Sequence, residues 1–75
     1  MKTQYQVIVR EPIIPNLNPA LINFDARGKV VMVAIVDPIL YGKKARDFMK
    51  KKGVRLIRRR FRKSDREEIK KFLKL

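Results

Sequence analysis

Residues 53–63 read GVRLIRRRFRK, five arginines and one lysine within eleven positions. A guanidinium is a planar fork that donates two hydrogen bonds to one phosphate or carboxylate, and it also stacks on flat π systems. Upstream, Gly42 precedes Lys43 and Lys44, and an ammonium group is a point charge suited to phosphate oxygens. The candidate anion-binding set is therefore Lys43, Lys44, Arg55, Arg58, Arg59, Arg60, Arg62 and Lys63.

Other chemistries lack their reagents. The chain has no cysteine and no histidine, which removes thiolate and imidazole metal ligands, the histidine general base and the Ser-His-Asp triad. A nucleotide-hydrolysing phosphate loop needs an upstream glycine where Asp37 stands, and a Ser or Thr after the lysine where there is none. Asp25 and Asp37 are the acids best placed for metal-dependent chemistry. Asp37 could hold Mg²⁺ near a phosphate, but a helix N-cap ahead of Pro38 accounts for it more simply. The expectation is a protein without catalysis, cofactor or metal, with a Mg²⁺-dependent nuclease as the third reading.

The charge is unevenly placed. Of the net +13, residues 1–40 carry four cations against three acids, whereas residues 41–75 carry sixteen against four. A single domain with one near-neutral half and one strongly basic half attracts polyanions.

The elements that must position these groups follow from period and punctuation. TQYQVIVRE (3–11) alternates as a strand, and the three prolines of PIIPNLNP (12–19) impose a stiff, extended connection. ALINFDARGK (20–29) fits either a strand with a turn or a helix capped by Asn18. The Asp-x-x-Gly ahead of a valine-rich run favours the hairpin. KVVMVAIVD (29–37), apolar on both faces, reads as a central strand. A helix is expected over 39–52, with Tyr41, Ala45, Phe48 and Met49 as its buried stripe and Asp47 paired to Lys43 and Lys51. A strand over 54–62 and a helix over 64–74 complete the chain. The second helix would be capped by a Ser64–Glu67 box and buried through Ile69, Phe72 and Leu73.

The fold class is thus α/β (α+β): one small two-layer domain spanning residues 1–75, a mixed sheet of three or four strands ending in a β-α-β-α unit. If strands 29–37 and 54–62 are parallel neighbours, their trailing loops pool lysines and arginines at a common rim, where helix N-termini also open. Phe61 and Tyr5 could stack on bases, although a core role accounts for both.

The expected function is phosphate neutralisation on nucleic acid, DNA or RNA, with low sequence specificity. About five phosphate contacts would give a log–log salt slope near −4 to −5. The alternative is an oligomeric interaction module, a homodimer or a binder of an acidic partner or ribonucleoprotein, since a doubly apolar strand invites a second subunit. No apolar run approaches the roughly 20 residues that span a bilayer, and MKTQYQVIVR lacks a signal peptide's apolar core, so a cytoplasmic location is expected. Abundant Lys and Arg without Cys or Trp suit a thermophile.

Overall fold

A computed structural model describes residues 2–12 and 19–75. Among them, β1 (Lys2–Val9), β2 (Ala20–Phe24), β3 (Val30–Ala34) and β4 (Val54–Arg58) form one mixed sheet, in the order β3-β2-β1-β4. β1 pairs with β2 and β2 with β3 in antiparallel fashion, and β4 lies parallel to β1. The helices are α1 (Pro38–Lys51) and α2 (Lys63–Leu73). The expected fold class holds: a small α+β domain with a mixed sheet, ending β-α-β-α.

The hairpin reading of residues 20–29 is also correct, and Asp25 shows why. Its carboxylate accepts from the backbone N–H groups of Arg27 and Lys29, both at 2.9 Å. Its carbonyl accepts from Gly28 at 3.0 Å. Gly28 takes φ 86°, a left-handed conformation that costs glycine least.

Side-chain alternation assigns the two faces of the sheet. The register Val7↔Ile22 and Tyr5↔Phe24 sets Tyr5, Val7, Val9, Ala20, Ile22 and Phe24 on one face. Ile69 of α2 closes over this cluster, with Phe61, Leu73, Val30 and Val33 at its margin. Burying each such large apolar side chain stabilises the fold by roughly 1.5–3 kcal/mol. The opposite face carries Gln6, Leu21, Asn23 and Leu56 and is covered by α1. There the Gln6 amide donates to the Gly42 carbonyl at 3.2 Å and accepts from Arg46 at 3.0 Å. Each helix therefore packs on its own face of the sheet.

Four local expectations need correction. β3 is an edge strand, with Val31 44% exposed, and the fully buried central strand is β2. The arginine strand ends at Arg58 rather than at 62. In α1, Pro38 and Gly42 are the buried residues, whereas Tyr41 and Phe48 are exposed. In α2, Ile69 and Leu73 pack inward, but Phe72 is about half exposed. The acids also differ from expectation. Asp47 forms no ion pair with Lys43 or Lys51, and Asp65, not Ser64 with Glu67, closes the start of α2. Most of the proline-rich segment 12–19 lies outside the described residues.

Candidate nucleic-acid interface

Beyond Arg58 the chain leaves the sheet with one further ladder bond, from the Arg59 N–H to the Gln6 carbonyl at 2.9 Å. The Arg59 side chain then turns back over the aromatic core, 4.9 Å from the Phe24 ring centre and 5.8 Å from that of Tyr5. Its two terminal nitrogens donate to the two Asp65 oxygens, at 2.7 and 2.9 Å. Asp65 also accepts the Arg62 N–H at 2.7 Å, and its own N–H donates to the Arg62 carbonyl at 3.0 Å. Burial alone would raise the Asp65 pKa. The Arg59 fork, the Arg62 N–H and both positive charges outweigh it and hold the carboxyl below its ordinary value of 3.8. Arg59 is thereby committed to the scaffold.

The remaining candidates are exposed and fall into two groups. Arg58 lies beside Gln6 in register, on the face that α1 covers, while Gly42 and Arg46 both reach Gln6. Lys43, next to Gly42, and Arg58 are therefore carried to one region of the molecule; Lys44 follows on the same helix. Arg55 pairs with Thr3 and faces the other side by alternation. On that side Arg62 and Ser64 line a cleft of about 310 Å³ with Arg27 and Glu68, beneath the hairpin tip. Arg60 and Lys63 extend the exposed basic segment at the start of α2.

A rim shared by two adjacent strand ends does not exist. β3 and β4 point the same way but occupy opposite edges, with β2 and β1 between them. Three strand spacings amount to roughly 14 Å. It is α1, crossing the sheet face, that returns Lys43 and Lys44 toward β4. Nor do these lysines lie in the first helical turn, because Asp37 caps α1 by accepting from Ile39 and Leu40 at 3.0 and 3.3 Å. With that role Asp37 serves the helix end, and among the described residues no group of three acidic side chains could hold a metal ion.

Two aromatic residues expected in the buried stripe of α1 lie outside it. Tyr41 and Phe48 stand on an outer flank of α1, 43% and 55% exposed, each with an ammonium over its ring. Gly42 and Arg46, four residues apart, were the available signal: in register they mark a helix face pressed against a polar group rather than a greasy one.

No family model, curated protein or solved structure matches this chain. Among the described residues no helix is long and apolar enough to cross a membrane.

Proposed function

We propose that this chain is a nucleic-acid-binding domain without catalytic activity, which holds phosphates through Lys43, Lys44, Arg55, Arg58, Arg60, Arg62 and Lys63. One observation carries the reading: five of the seven acids are engaged elsewhere, and none pairs with these seven cations, which lie on both faces of the sheet. Every charged side chain lies within the described residues, and only Lys29, Arg59, Arg66 and Lys71 of the twenty cations form ion pairs. Asp25 and Asp37 are spent on backbone N–H groups. Unneutralised like charges repel one another, and a polyanion relieves that repulsion while releasing its own counterions.

Specificity is low in this reading, because neither helix carries the Asn or Gln that reads base edges. A cytoplasmic location belongs to the same proposal. The experiment is titration against a random duplex and a random single strand at several salt concentrations. Contact with about five phosphates gives a duplex slope near −4.5; no binding to either at low salt ends the reading.

A second reading, self-association through β3, is favoured by the contrast between the two sheet edges. β4 is guarded by Arg55 and Arg58, while 30–36 carries no charge and exposes Val31 and Ile35. An unguarded edge offers unpaired backbone groups to another strand. Sedimentation equilibrium tests this: a dimer that Val31→Lys dissociates supports it, and a wild-type monomer at high concentration removes it.

A further inference from the structure

We infer that the outer flank of α1 is a stacking platform for unpaired nucleobases, so that the ligand is single-stranded nucleic acid rather than duplex. The inference rests on the nucleic-acid reading above and adds the class of strand. Its basis is a surface that packing does not explain.

Tyr41 and Phe48 are seven residues apart, two helical turns, which places them on one side of α1 about 10.5 Å apart along its axis. Neither ring serves the core: the fully buried residues of α1 are Pro38 and Gly42, and Arg46 also bonds to the sheet through Gln6. Lys44 holds its ammonium 5.6 Å from the Tyr41 ring centre, and Lys52 holds its own 4.5 Å from that of Phe48. At helical spacing, the flank therefore alternates flat π surface with positive charge.

A partner for it must supply flat groups and negative charges in alternation. A single strand does so, because every base has a π-face and every linkage a phosphate. A duplex does not, because its bases are already stacked on each other and only its phosphates are available. A protein helix seated here would bury two rings beside α1's strongly basic surface, with Lys43, Lys44, Lys50 and Lys51 close by, and its charge would have to be acidic throughout. On binding, each lysine can swing on its flexible stem from ring to phosphate, leaving the ring face to a base.

The chain has no tryptophan and two tyrosines, which makes a direct readout available. In a Tyr5→Phe variant, Tyr41 is the sole tyrosine, and its emission is followed during titration with oligothymidylate and with a duplex of equal length. The expected result is quenching by the single strand, with tighter single-strand than duplex binding. Tyr41→Leu with Phe48→Leu keeps apolar bulk and helix propensity but removes both rings. It should weaken single-strand binding on the order of tenfold per ring and leave duplex affinity and its salt slope in place. Equal losses on both ligands, or no loss on either, would overturn the platform while the phosphate reading stands. Failure of the wild-type chain to bind either ligand would remove both.

Discussion

Arg59 and Asp65 meet fork to fork, six residues apart in the chain, with side chains only 13% and 4% exposed. One carboxylate thereby fixes the end of β4, the start of α2 and the lid over Phe24. Removing one partner of a buried pair strands the other charge and costs about 3–5 kcal/mol. A domain of this length has a total stability of about 4–11 kcal/mol. Asp65→Ala is accordingly expected to bring the protein close to unfolding, as read from its urea midpoint. Arg59→Lys, which loses the second bond of the fork, should fall between the variant and the wild type.

Acid should act through the same carboxyl. Its pKa is depressed in the folded state, so its contribution is fully present above the ordinary value of 3.8 and is lost as pH falls through the lower folded value. Asp65→Asn abolishes that titration. The gap in urea midpoint between wild type and Asp65→Asn should be widest near neutrality and narrow on acidification below 3.8. A constant gap down to pH 2 would contradict the assignment.

Gly42 is a weak point in α1 that its surroundings do not require. A Cβ there would meet Gln6 Oε1 at 3.7 Å and the Arg46 guanidinium at 3.8 Å, ordinary contact distances. Glycine inside a helix costs about 0.8–1.0 kcal/mol relative to alanine. Gly42→Ala is expected to raise the thermal midpoint, whereas Gly42→Leu, with no room for its branch, should lower it. Differential scanning calorimetry of the two variants separates these outcomes.

Salt dependence distinguishes exposed arginines from structural ones. Arg58→Gln and Arg60→Gln should each reduce the magnitude of the duplex-binding salt slope by about 0.9, with little change in stability. Arg59→Gln should do the reverse, destabilising the fold while changing the slope little among molecules that remain folded. The slopes come from fluorescence anisotropy at four or more salt concentrations, alongside unfolding curves.

Local signals were legible where they were punctuated. Asp25 and Gly28 announced their turn, and Asp37 before Pro38 announced its cap. Strand order was not legible, because KVVMVAIVD is greasier than ALINF yet lies at the edge. What makes β2 and β1 central is the pairing of β1 with β4, from Lys2↔Val54 to Gln6↔Arg58, and no local pattern reports contacts at that separation. The buried face of α1 was missed for a related reason. Gln6 is fully buried, so the helix presents a bare glycine and an arginine to it and turns Tyr41 and Phe48 outward. The candidate cations were all visible in the sequence. Their division between two faces, and the withdrawal of Arg59 by Asp65, depend on where the chain turns after Arg58.

The parallel partner of β1 also sets the order of assembly. Tyr5 meets Phe24 across a separation of 19 residues, whereas Lys2 meets Val54 across 52. Closing the larger loop costs about 0.9 kcal/mol more in chain entropy, and non-local pairing slows folding. The meander of the first three strands should therefore nucleate early and wait, with both margins open, for residues 54–58 to dock. Refolding yield should fall with rising protein concentration until that late strand seals one side.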